Sequence, residues 1–107
     1  MYVMESVDDL WDHIAYVLGY APDSFPYRDF IPDDQQMNLD RAFDQLRQGV
    51  VIAYPEDSFV EKRAMLNEIL DRSYALYKAG DDVAAGYLLN EFEDNIFKEE
   101  VNGVKKQ

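Results

Sequence analysis

The sequence predicts an all-α fold, a four-helix bundle-like single domain over residues 1–107 with a long loop between helices 1 and 2. Three observations predict it. Apolar residues recur every three or four positions in four separate segments, the period of one helical face. Capping residues, glycines and prolines punctuate those segments where helices begin and end. Only one short β-branched run, Val50 to Tyr54, suggests a strand, and no second run offers it a partner.

The first helix is expected over about Val7 to Leu18. Ser6 is its N-cap, and Asp8 and Asp9 stand in the electropositive first turn. Val7, Leu10, Trp11, Ile14 and Leu18 form its apolar stripe, and Gly19 is placed to end it in a left-handed conformation. Residues 20–32 (YAPDSFPYRDFIP) contain three prolines and read as the one long irregular stretch. The second helix is expected over about Asp34 to Gln48, with Asn38 as a second cap or a kink. Its stripe is Leu39, Phe43 and Leu46, and Gly49 is its stop. Val50 to Tyr54 is then expected as an extended connection packed on the core.

Ser58 and Glu61 fit a capping box at the start of the third helix, where loss of the Ser58 cap would cost about 1 kcal/mol. Phe59, Leu66, Ile69, Leu70, Leu76 and Tyr77 mark its buried face as far as about Ala79. Glu68 and Arg72, at i and i+4, are able to pair on its wet side. Gly80 breaks the chain, Asp81 or Asp82 caps the fourth helix, and Ala85, Leu88, Leu89, Phe92 and Ile96 give a stripe running to about Glu100. So short a break predicts an antiparallel hairpin of helices three and four. Residues 101–107 are expected to fray.

Composition narrows the function. The 107 residues carry 22 acids and 10 bases, a net charge of −12. Phosphate backbones and anionic membranes attract clustered Lys and Arg, so direct nucleic-acid or membrane binding is not expected. A basic protein partner is the macromolecule such a charge would draw in, although acidity also serves plain solubility. The acids are uneven: residues 1–34 hold eight of them against one base, Arg28. The chain has no cysteine, which removes disulfides, thiolate zinc sites and iron–sulfur clusters and suits a reducing, cytoplasmic setting. Its first residues carry acids where a signal peptide would carry Lys or Arg.

No catalytic constellation emerges, and the protein is not expected to be an enzyme or to need a cofactor. Threonine is absent, and of Ser6, Ser24, Ser58 and Ser73 two read as caps rather than nucleophiles. The glycines are isolated, so no phosphate loop is formed. His13, the single histidine, lies one turn from Asp9 and beside Asp12. A metal would need further ligands at recognisable spacing, so His13 is expected at the surface among carboxylates.

The candidate site is the loop. Tyr20, Phe25, Tyr27 and Phe30 alternate there with Asp23 and Asp29. Aromatic side chains dominate binding hot spots because they bury much area with few rotatable bonds. Prolines lower the entropy lost on docking. The expected partner-binding set is Asp8, Asp9, Asp12, Asp23, Phe25, Tyr27, Asp29, Phe30, Asp33 and Asp34. The competing expectation is that the rings fold back and close the core. A small, cysteine-free, strongly acidic helical domain resembles the immunity proteins of bacterial toxin systems, such as those paired with colicins or contact-dependent inhibition toxins. That resemblance implies an inhibitor that neutralises a basic toxin such as a nuclease. The alternatives are a phage-encoded nucleic-acid mimic acting against host defence, and an adaptor subunit that exposes an apolar patch.

Overall fold

A computed structural model describes residues 4–98. Four α-helices follow one another: α1 (Val7–Tyr20), α2 (Leu39–Ala53), α3 (Val60–Lys78) and α4 (Asp82–Glu93). α4 continues into one π-helical turn, Asp94–Lys98, and there is no strand among the described residues. α1 packs on α2, α2 on α3, α3 on α4 and α4 back on α1, so the helices close a ring around one core. The all-α bundle is therefore formed as the apolar periodicity predicts. The expected end of the fourth helix at Glu100 and the frayed residues 101–107 lie outside the described residues.

Caps explain three of the four starts. Ser6 Oγ accepts the Asp9 amide at 3.1 Å, Asn38 Oδ1 accepts the Arg41 amide at 2.9 Å, and Asp81 Oδ1 accepts the Ala84 amide at 3.2 Å. Each satisfies a backbone donor that the first turn leaves without a helical partner. α2 thus begins at Asn38 rather than Asp34; residues Asp33–Gln35 form a separate 3-10 turn. The start of α3 differs. Ser58 lies inside a 3-10 turn, Asp57–Phe59, that feeds straight into α3, and its hydroxyl caps nothing. That approach is held instead by Arg63, which donates to the carbonyls of Tyr54 and Glu56 at 2.7 Å each. Loss of the Ser58 hydroxyl therefore removes no cap from α3.

Two glycines expected to stop helices do not. α1 passes through Gly19 and α2 through Gly49, and Val50 to Ala53 are helical rather than extended. Among the described residues only Gly80 has a positive φ, of 88°, and it alone of them ends a helix in the left-handed region. Gly49 serves a different purpose. A Cβ there would overlap Leu10 Cδ1 and stand 3.0 Å from Cγ and 3.1 Å from Cδ2 of the same fully buried side chain. Gly49, with Ala42 two turns earlier, lets α1 approach α2 closely. Gly19, by contrast, has open space around it.

The two sites predict opposite outcomes in chemical denaturation. Gly19→Ala should stabilise by about 0.5–1 kcal/mol, because alanine loses less backbone freedom in a helix. Gly49→Ala should destabilise, since overpacking at about 1–3 kcal/mol exceeds the same propensity gain of about 1 kcal/mol. Equal shifts of the two midpoints would contradict the close approach of α1 and α2.

The core gathers Leu10, Ile14, Val17, Phe43, Leu46, Leu66, Leu70, Leu89 and Phe92, all fully buried. Trp11 and Phe59, assigned to buried stripes by spacing, are corrected. Trp11 is 49 % exposed and meets Phe97 edge to face at 4.8 Å, and Phe59 is likewise partly exposed against Tyr54. The α1 stripe is rotated, so that Leu10, His13, Ile14 and Val17 face inward. Ser73 is also buried, and its hydroxyl donates to the Ala85 carbonyl at 2.9 Å, tying α3 to α4. Glu68 and Arg72 form no ion pair among the described residues. Arg47 pairs instead with Asp71 at 2.7 Å and with Asp44 at 3.8 Å.

Candidate functional site

After α1 the chain turns through a cis Ala21–Pro22 peptide and runs irregularly to Asn38. One glutamine organises this stretch. Gln36 Oε1 accepts the Arg28 amide at 2.9 Å, while its Nε2 donates to the carbonyls of Arg28 at 2.8 Å and Ile31 at 2.7 Å. These three bonds use most of what one amide side chain offers. The Ile31 amide also donates to the Arg28 carbonyl at 3.1 Å, closing a tight turn with Asp29 and Phe30 at its two corner positions. Corner residues project from a turn, and Phe30 is 79 % exposed.

The four loop rings part company. Tyr27 is 63 % exposed, and its hydroxyl donates to Asp33 Oδ1 at 2.6 Å, which raises its pKa. Tyr20 is partly exposed against Tyr16. Phe25 is half-buried, its ring 5.6 Å from that of Tyr16, and it packs against the core. Phe25 is therefore a structural residue, as the competing expectation had it, whereas Tyr27 and Phe30 point outward.

The predicted acids divide as well. Asp23, Asp29, Asp33 and Asp34 are exposed on the loop, Asp33 bonded to Tyr27 and Asp29 next to Phe30 in the turn. Asp9 is half-buried and structural: its Oδ2 accepts the Glu5 amide at 3.0 Å. Asp8 is exposed but stands at the opposite end of α1 from the loop's root, about 18 Å along the axis at 1.5 Å per residue. Asp12 faces a cavity between α1, α2 and the loop.

Between α1, α2 and the loop lies an open cavity of about 740 Å³. Its wall includes Asp12, His13 and Tyr16 from α1, Arg28, Phe30, Ile31 and Met37 from the loop, and Arg41, Asp44, Gln45 and Gln48 from α2. The volume falls within the ordinary range for small-molecule sites. Arg41 donates to the Asp34 carbonyl, which fixes the guanidinium at the end of α2 nearest the loop. Burial raises the Tyr16 pKa, against the opposing pull of the Arg28 charge.

His13 is corrected most sharply. It is not at the surface but 98 % buried, and its Nε2 hydrogen-bonds the Ala42 carbonyl of α2 at 3.0 Å. A carbonyl only accepts, so Nε2 carries the proton in the neutral ring. Desolvation lowers the His13 pKa, partly offset by that hydrogen bond. The unfolded chain therefore takes up a proton near pH 6.5, before the folded one does. The stability His13 contributes is present above pH 6.5 and is lost as pH falls through its lower folded value. Thermal unfolding between pH 7.5 and 5 should show His13→Gln, which keeps an N–H for Ala42, losing less stability on acidification than the wild type. Parallel profiles for the two proteins would contradict a buried neutral His13.

No cluster of three or more metal-binding side chains occurs among the described residues, and none of their helices is long and apolar enough to cross a membrane. Compared with protein families, curated proteins and solved structures, the chain matches none.

Proposed function

We propose that this domain is an acidic protein-binding inhibitor of the immunity type, which neutralises a basic toxin such as a nuclease by docking the Arg28–Ile31 turn against it. The observation that carries this reading is an exposed phenylalanine at the corner of a turn clamped by Gln36, with Asp29 next to it and Asp23, Asp33 and Asp34 exposed on the same loop. An apolar ring held rigidly in water loses little conformational freedom on docking and gains its full burial. Carboxylates around such an anchor favour a cationic cleft and speed encounter with it. A nuclease has such a cleft because it must hold phosphates.

The test is capture on the immobilised domain. Wild-type protein should retain a basic protein that high salt releases, and Phe30→Ala should lose it. Co-expression of the wild type, but not of Phe30→Ala, should protect cells against that protein. Retention of the same protein by both forms, or retention only of acidic proteins, would overturn the reading.

A second reading, an adaptor subunit, is favoured by one observation. Val83 and Tyr87 stand at i and i+4 on α4 and are 68 % and 70 % exposed. In that case Tyr87→Ser would abolish capture while Phe30→Ala left it intact.

A further inference from the structure

The cavity between α1 and α2 has a charge pattern that the loop does not explain. The first 46 residues contain only two bases, Arg28 and Arg41, against ten acids, and both bases line this cavity. Neither guanidinium meets a carboxylate within ion-pair distance among the described residues. Arg41 spends one donor on the Asp34 backbone, and the remaining guanidinium donors of both residues are open to a ligand.

The carboxylates in the wall are displaced from the arginines in a consistent direction. Contacts of Leu10 with Gly49 and of His13 with Ala42 make α1 and α2 antiparallel. On α1, Tyr16, whose ring feels the Arg28 charge, precedes Asp12 by one turn when read towards the helix N-terminus. On α2, Arg41 precedes Asp44 by one turn when read towards the C-terminus. Arg28 from the loop and Arg41 from the first turn of α2 thus form a cationic level nearest the loop's root, and Asp12 of α1 and Asp44 of α2 an anionic level one turn further on. Between them the loop supplies an apolar wall of half-buried Ile31 and Met37, with the exposed Phe30 ring at its rim.

We propose that this cavity binds a small zwitterion of dipeptide size with an apolar body, its carboxylate between Arg28 and Arg41 and its ammonium towards Asp12, with Asp44, which Arg47 already approaches at 3.8 Å, as the outer carboxylate of that level. One helical turn separates the two levels, about 5–6 Å, which matches the span between the termini of a dipeptide and exceeds that within a single α-amino acid. A zwitterion also suits the whole molecule. A simple anion would be repelled by the net charge of −12, and a simple cation would leave both guanidiniums unanswered. A cavity of about 740 Å³ holds a dipeptide with room for ordered water. The proposal does not rest on the docking described above, since it concerns the isolated domain.

Titration of the isolated protein with glycyl-phenylalanine, followed by amide and side-chain NMR shifts, tests it. The shifts should centre on Tyr16, Arg28, Arg41 and Gln48. Glycyl-phenylalanine amide, which lacks the carboxylate, and N-acetyl-glycyl-phenylalanine, which lacks the ammonium, should each bind about tenfold more weakly, the loss expected for one charge-assisted pair. Arg28→Gln should narrow the gap between the dipeptide and its amide while keeping the penalty for acetylation. Asp12→Asn should do the reverse. The proposal is overturned if the dipeptide does not bind, if its shifts lie elsewhere, if the blocked forms bind equally well, or if both substitutions weaken all three ligands alike. A variant that fails to fold leaves the three ligands on wild-type protein to decide.

Discussion

Phe43→Ala is expected to cost about 3–5 kcal/mol, a large part of the 5–15 kcal/mol that holds a typical domain folded. Phe43 is fully buried on α2, and α3 presents Tyr74 and Tyr77 edge-on to its ring at 5.5 and 6.0 Å. Truncation removes the apolar area, leaves a cavity that the surrounding helices fill only in part, and deletes two edge-to-face contacts. For a chain of this length the loss corresponds to roughly 15–30 °C in the unfolding midpoint. Phe59→Ala is the control: the same atoms are removed from a partly exposed ring in the turn before α3, so its cost should be much smaller. Urea unfolding of the two variants, with the slope of the transition unchanged, separates them. A Phe43 variant no less stable than the Phe59 variant would mean that α2 and α3 do not share a core.

The existence of four helices was legible because burial in this protein follows the 3.6-residue period nearly everywhere. Where the reading failed, residue type had outweighed position. Gly49 continues the series Leu39, Ala42, Phe43, Leu46, Val50, so the spacing itself marks a helix running on; treating glycine as a stop concealed it. Val50 favours strands in isolation, yet its full burial in the core overrides that preference. His13 sits in the series Leu10, Ile14, Val17 and is buried with them, although its chemistry suggests water. Ser58 and Glu61 matched a capping pattern, but the preceding 3-10 turn leaves that hydroxyl nothing to cap.

The site was legible in part for a related reason. Composition singles out an acidic, aromatic loop, but it does not separate Phe25, which covers Tyr16, from Phe30, which points outward. That separation depends on Gln36 reaching back five to eight residues, and a lone glutamine carries no local signal of such a role. The cavity was not legible at all, because Arg28 and Arg41 share a wall only once α1 and α2 are antiparallel.

Gln36 also makes the docking proposal testable from a residue that need not touch the partner. Once a basic partner is in hand, Phe30→Ala should weaken binding by at least about 2 kcal/mol, roughly thirtyfold in Kd, as a central aromatic anchor does. Phe25→Ala should instead lower stability, since its ring is spent on Tyr16. Gln36→Ala leaves every exposed ring and carboxylate in place but releases the Arg28–Ile31 turn from three hydrogen bonds. Its partner would then have to order the loop on binding, so affinity should fall although the isolated fold is retained. Binding measured by calorimetry beside thermal unfolding distinguishes the three. If Gln36→Ala binds as tightly as wild type while Phe30→Ala does not, the ring is a contact but its fixed presentation is immaterial. If Phe30→Ala binds normally, the partner does not engage this turn, and the acids around it serve solubility alone.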